Sequence, residues 1–287
     1  MTKKFYFTVF LLATLTSCET NKETVLFSSS INGNSDIFIM DNDGKNKTAL
    51  TQTDSEEWGP TWINKNEISF LRQKGDSIFR IKLNLKTKKE SKLEHPKNCI
   101  LDDKNILYSP SNQNQLYSCQ NNIFIFNPKT NDIKNITEKL IGKARYPSWS
   151  TDGNNIIYTS NHLGTNEVFL YEIKTEKVRQ LTNSDSNNER GELSPNNKIL
   201  AYSSDSFEKG NQEILIKNLE TNEIENISKS SGMELIARFS NSGKKLYYGT
   251  NKDENWEINV YDLKTKKHKA LTENKEFDGD PRILKKK

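Results

Sequence analysis

Along residues 144–182, apolar and polar positions alternate in four short runs, 145–150, 156–160, 168–173 and 178–182, each rich in β-branched or aromatic residues. A period of two predicts extended strands. Between the first two runs stands Thr151-Asp152-Gly153-Asn154, where the Asp can bond its own backbone and the Gly supplies positive φ, so the chain reverses. Lys174-Thr175-Glu176-Lys177 marks a second polar reversal. The stretch is therefore a four-stranded antiparallel meander.

One meander cannot bury both of its faces, and the pattern recurs. Copies begin at Glu189 and Glu234, each with its first turn in the same place (Ser194-Pro195-Asn196-Asn197 and Asn241-Ser242-Gly243). Upstream, Glu57-Trp58-Gly59-Pro60-Thr61-Trp62 opens another copy, and residues 98–103 are expected to open a degenerate one. The starts lie roughly 40 to 48 residues apart, the spacing of propeller blades. Residues 25–30, 36–41 and 48–52 supply strands two to four of a blade with no first strand before them. Residues 277–283 supply that strand from the other end. The expected fold is an all-β, six-bladed β-propeller of four-stranded antiparallel blades over residues 25–287, with the C-terminal strand closing the ring and leaving no open edge. Between residues 98 and 127 three strand-like runs follow the expected opening where two are needed, so the third blade is the least regular.

The aromatic or proline-containing first strand, Trp149-Ser150-Thr151-Asp152-Gly153, the run of residues 36–44 and the closing Leu-Thr pairs (Leu50-Thr51, Leu181-Thr182, Leu271-Thr272) resemble the TolB-type, WD-like propeller repeat. The resemblance covers residues 25–283 and implies a binding propeller of the cell envelope, here expected without the α/β domain that precedes the propeller in TolB.

Residues 1–17 carry Lys3 and Lys4, then an apolar run of about 11 residues, too short for a permanent span and laid out as a signal peptide. Leu15-Thr16-Ser17-Cys18 resembles a bacterial lipobox, which implies lipidation of Cys18 and a membrane anchor, with residues 18–24 as a polar tether. The bland alternative is an ordinary cleaved signal with an incidental cysteine. Removing residues 1–17 takes two lysines from a formal charge of +4 and leaves +2. With no basic face indicated, nucleic acid is excluded as a partner. Hydrophobic residues make up 33% of the chain, but they are concentrated in the period-two runs, so the chain is a folded single domain, expected to be monomeric. Cys99 and Cys119 read most simply as two buried free thiols, with a disulfide as the alternative.

His95, His162 and His268 each fall in a turn or loop without a second ligand at metal spacing and are expected to be solvated. No cofactor, metal or catalytic residue is expected. Asp41-Asn42-Asp43-Gly44 reads as a hairpin turn, not a calcium loop. In a propeller the loops joining strand four to the next strand one share a face with the two-to-three loops. Here they bring Glu56, Glu57, Trp58, Arg145, Tyr146, Glu189, Arg190, Glu234, Asp278 and Asp280 to the channel mouth. Converging carboxylates there would focus a negative potential on a cation or a basic segment; alternatively these charges are simply solvated. A binding lipoprotein holding an envelope protein or a glycan is the favoured class. A polysaccharide lyase or hydrolase using paired carboxylates is the alternative.

Overall fold

The computed structural model describes residues 23–31, 33–96, 99 and 105–285. The signal-like segment, Cys18 and most of the tether lie outside them. The described chain forms six four-stranded antiparallel sheets. The first pairs β1 (Thr24–Ser29), β2 (Asp36–Asp41) and β3 (Thr48–Ala49) with β24 (Asp278–Ile283). The second holds β4 (Glu57–Asn64), β5 (Glu67–Lys74), β6 (Ser77–Asn84) and β7 (Glu90–Leu93). The third holds β8 (Leu107–Tyr108), β9 (Gln115–Cys119), β10 (Asn122–Asn127) and β11 (Asp132–Asn135). The fourth is β12 (Ala144–Trp149), β13 (Asn155–Ser160), β14 (Glu167–Glu172) and β15 (Val178–Gln180). The fifth is β16 (Asn188–Leu193), β17 (Ile199–Glu208), β18 (Asn211–Asn218) and β19 (Ile224–Asn226). The sixth is β20 (Glu234–Phe239), β21 (Lys245–Thr250), β22 (Glu257–Asp262) and β23 (Lys267–Ala270). The six-bladed expectation holds, including the closure: β24 pairs with β1 through Val25 with Ile283 and Ser29 with Asp278.

Packing follows from the blade geometry. Second strands are sandwiched between neighbouring blades, so β1, β13 and β21 are buried after their first residue, whereas the outermost β7, β11 and β23 are almost wholly exposed. Cores therefore form between blades. At the closure, Val25, Phe27, Phe38 and Met40 meet Tyr247, Ile258, Val260 and Leu271 in one buried cluster that also takes in Ile283. Burying each such large side chain contributes about 1.5–3 kcal/mol.

The Leu-Thr signature has a structural cause. In the first, third, fourth and sixth blades the Thr hydroxyl accepts the N–H of the third strand's second residue, as in Ile37 to Thr51 at 2.9 Å, Ile123 to Thr137 at 2.9 Å, Val168 to Thr182 at 2.8 Å and Ile258 to Thr272 at 2.8 Å. Ser228 does the same for Ile214 at 2.9 Å. In three of these blades the Thr hydroxyl also donates to the third strand's first side chain: Asp36, Asn122 or Glu167. The motif latches the outermost turn to its blade and satisfies buried backbone at a point where the fourth strand is short.

The third blade corrects two expectations. Its first strand is Leu107–Tyr108, not residues 98–103, so the three runs seen in the sequence are strands one, two and three. Asn105 anchors the start of this strand, donating to the Gly59 carbonyl and to Ser69 Oγ, both at 3.0 Å. The two cysteines are not free: Cys99 and Cys119 form a disulfide with Cα atoms 5.7 Å apart, a separation that a disulfide spans without backbone movement. Asp41-Asn42-Asp43-Gly44 is the expected turn, closed by Gly44 N–H to the Asp41 carbonyl at 3.0 Å. Gly44 has φ of 86°, and a Cβ there would lie 2.8 Å from the Leu271 carbonyl oxygen.

Candidate functional site: the channel and its loop face

The innermost strands β4, β8, β12, β16, β20 and β24 ring a central channel. Five of them carry a bulge whose central residue has positive φ: Gly59, Tyr146, Arg190, Ile236 and Asp280, at 52° to 63°. Four are not glycine, and strained backbone of this kind persists where the surroundings over-determine it. The bulge re-aims the side chains of each strand. Third and fifth residues line the channel: Tyr146, Arg190, Ile236 and Asp280 in one layer, Ser148, Arg238 and Arg282 in the next. Two stacked chambers result. The one nearer the loop face is a cavity of about 140 Å³ lined from all six blades, and the other, of about 290 Å³, reaches the opposite face past Glu192 and Lys285.

As expected, the four-to-one and two-to-three loops share a face. In the fourth, fifth and sixth blades a side chain at the two-to-three end of the second strand binds the preceding four-to-one loop at a spacing of 18: Asn161 Oδ1 accepts from Lys143 N–H at 2.7 Å, Asp205 within β17 from Asn187 at 2.6 Å, and Asn251 from Met233 at 2.6 Å. On this face Glu56 is exposed and accepts the Ser35 N–H at 3.0 Å, and Arg145 is exposed. Glu189 is half-buried and accepts from Asn166 Nδ2 at 2.6 Å. Trp58, Tyr146, Arg190 and Asp280 come together around the upper chamber, where the Arg190 guanidinium lies 3.8 Å over the Tyr146 ring.

The other three acids do not line the mouth. Glu57, Glu234 and Asp278 are 0–1% exposed, each the first residue of its innermost strand and tucked behind the bulge. Glu57 pairs with Arg72, which grips Glu90 with both amino groups at 2.7 and 2.8 Å. Glu234 Oε1 accepts from Ser230 at 2.5 Å and Thr250 at 2.8 Å. Asp278 Oδ2 accepts from Asn274 at 2.6 Å and sits 3.5 Å from Lys47. These carboxylates stitch loops to strands. The expected negative focus is absent from the channel wall, where Arg190, Arg238, Arg282 and Lys285 face Glu192 and Asp280. Of the residues that sequence reasoning missed, Arg238, Arg282, Glu192, Lys285 and Ser148, four stand at the fifth position of their innermost strand, and three of these are charged where Thr61 and Ser148 stand in other blades. A charge in a small-polar column was the available signal.

Burial raises the carboxyls of Glu57, Glu189, Glu234 and Asp278 above their ordinary range despite their hydrogen bonds. A folded pKa above the unfolded one contributes stability that is full below the unfolded value, 4.5 for Glu234, and is lost as pH rises through the folded value. Gln resembles the protonated form at every pH and can still accept from Ser230 and Thr250. Glu234→Gln is therefore expected to raise Tm at pH 8 and to converge with the wild type near pH 4.5. A lower Tm for the variant at pH 8, measured by calorimetry, contradicts this.

The histidines are less solvated than expected. His162 packs on Phe169 with ring centroids 4.7 Å apart and shares a 3.0 Å hydrogen bond with Ser160, and His95 is half-buried beside the Ile78 carbonyl. His268 is exposed but hydrogen-bonds Tyr248 at 2.8 Å. Among the described residues no three His, Cys, Asp or Glu side chains cluster at metal-binding distance.

Residues 101–190 match the family described as the dipeptidyl peptidase IV (DPP IV) N-terminal region. The Tol-Pal system protein TolB of Francisella tularensis subsp. tularensis (strain WY96-3418) is 37% identical over 82 residues, 29% of this chain and 19% of that protein. The match thus spans about a fifth of the length of the curated relative. Among solved structures, TolB from Acinetobacter baumannii superposes with a TM-score of 0.77 at 18% identity, covering 91% of this chain and 66% of that one. The putative TolB from Agrobacterium tumefaciens gives 0.68 at 15% identity over 90% of both chains. At these identities the structures speak for the fold, and the local sequence match speaks for the repeat. The chain has the fold of these TolB structures, a six-bladed β-propeller.

Proposed function

We propose that this chain is a non-catalytic binding propeller of the cell envelope that docks a protein partner on the loop face of its channel. One observation carries the reading. Of eight large apolar side chains exposed among the described residues, five stand on that face: Ile31, Ile141, Leu163 and Phe277 on its four-to-one and two-to-three loops and Phe207 at the two-to-three end of β17. The other three sit on outermost strands, and exposed apolar groups gathered on one face mark interaction surfaces. The burial of Glu57, Glu234 and Asp278 weighs against a polysaccharide-cleaving pair of carboxylates. The name of the local relatives, Tol-Pal system protein TolB, supports a role in an assembly.

The address rests on the signal-like residues 1–17 and the lipobox-like Leu15-Thr16-Ser17-Cys18, with acylated Cys18 holding a monomeric propeller close to a membrane. The Cys99–Cys119 disulfide suits an oxidising compartment. Cys18→Ala is expected to move the protein from the membrane to the soluble fraction. A triple variant, Ile141→Ser, Leu163→Ser and Phe207→Ser, is expected to leave Tm unchanged and to weaken partner co-purification from detergent-solubilised envelope at least tenfold, as loss of interface anchors does. Undiminished co-purification removes the assignment of this face.

A further inference from the structure

Where the two channel chambers meet, Arg238 and Arg282 stand at the same position on adjacent innermost strands and line both cavities. Arg238 is 8% exposed. Its Nη1 donates to the Ala237 carbonyl at 3.0 Å and lies 3.3 Å from Glu192 Oε2. Glu192 is already committed: its Oε1 accepts the Phe239 N–H at 3.1 Å and lies 3.8 Å from Lys285 Nζ, which donates to the Trp149 carbonyl. One carboxylate thus serves two cations. The Nε atoms of Arg190, Arg238 and Arg282 are buried without a hydrogen-bond partner among the described residues. Four cations face two carboxylates, and desolvated guanidinium donors without acceptors are costly. Thr61 and Ser148 place small hydroxyl groups in the same layer.

We infer that this waist is an oxyanion site that takes a carboxylate, held by the paired guanidiniums of Arg238 and Arg282 with Lys285 below. Two guanidinium forks at one level suit the planar, two-oxygen geometry of a carboxylate. The surroundings agree: burial, with Arg282 alongside, pushes Arg238 down to about 9, and burial pushes Arg282 and Lys285 down as well. An anion seated between them relieves this penalty. The inference does not depend on the loop-face partner, because the carboxylate can be a free small acid or the end of a peptide reaching down the channel.

Thermal unfolding of the purified propeller is followed in malonate, in sodium chloride at equal ionic strength, and in the neutral isostere malonamide. Two tetraglycine peptides are tested in parallel, one with a free C-terminal carboxylate and one amidated. Malonate or the free-acid peptide, at about a hundred times its Kd, is expected to raise Tm by roughly 5 °C in a saturable way. The response is expected to vanish in Arg282→Gln and to persist, weakened, in Arg282→Lys. A response to malonate identifies a free acid as the source, and a response confined to the free-acid peptide identifies a polypeptide. Without ligand, Arg282→Gln is expected to melt no lower than wild type, since it removes an under-neutralised buried charge. The proposal is overturned if neither carboxylate shifts Tm beyond chloride or the neutral analogues, or if Arg282→Gln responds like wild type.

Discussion

Deletion of residues 277–287 is expected to abolish cooperative unfolding of the whole propeller rather than trim one edge. The deletion removes β24, whose Asp278, Gly279, Pro281 and Ile283 are buried, and with it the ladder to β1. It also opens the cluster in which Phe27, Phe38 and Met40 pack against Tyr247 and Ile258. A domain's net stability of about 5–15 kcal/mol does not survive loss of an innermost strand and of an inter-blade core. The specific cause can be separated from damage in general. Ile283 lies opposite Val25, so the end of β24 adjoins the start of β1 as in any first-to-second-strand turn. A permutant that places residues 277–285 directly before Glu23 is expected to restore folding, whereas an unchanged melting transition in the deletion itself contradicts the closure.

Loss of the Cys99–Cys119 disulfide has the second large expected effect. The bond joins residues 20 apart, from the segment after the second blade to the end of β9. A loop of that size is worth about 3 kcal/mol in the unfolded-chain entropy account, or a fall in Tm of roughly 5–10 °C. β8 is two residues long and Ile106, Tyr117 and Cys119 form a small core, so the disulfide adds to the Asn105 anchor in holding the opening of the third blade. Calorimetry of the oxidised protein against a Cys99→Ser/Cys119→Ser variant checks this, and equal transitions refute it.

Blade number, strand order, turn chemistry and closure were legible because each follows from local periodicity repeated in register. The Leu-Thr pairs were legible as punctuation, though not as the latch that accepts the third strand's N–H. The opening of the third blade was misread because residues 98–103 resemble a strand, while the true first strand is reduced to Leu107–Tyr108. The site was less legible than the fold. The sequence indicates which loops carry the residues of the mouth but does not orient their side chains. Bulges at Tyr146, Arg190, Ile236 and Asp280 break the period of two at the innermost strands. That break sends Glu234 and Asp278 inward and leaves Arg238 and Arg282 facing the channel.

The docking face is tested most directly by site-specific photocrosslinking in the native envelope, with the probe at Leu163, 60% exposed on the loop face, or at Val178, 49% exposed on an outermost strand. The account predicts a discrete protein adduct from position 163 that is absent from position 178 and is lost in Phe207→Ser. The same adducts from both positions, or none from position 163, would contradict it.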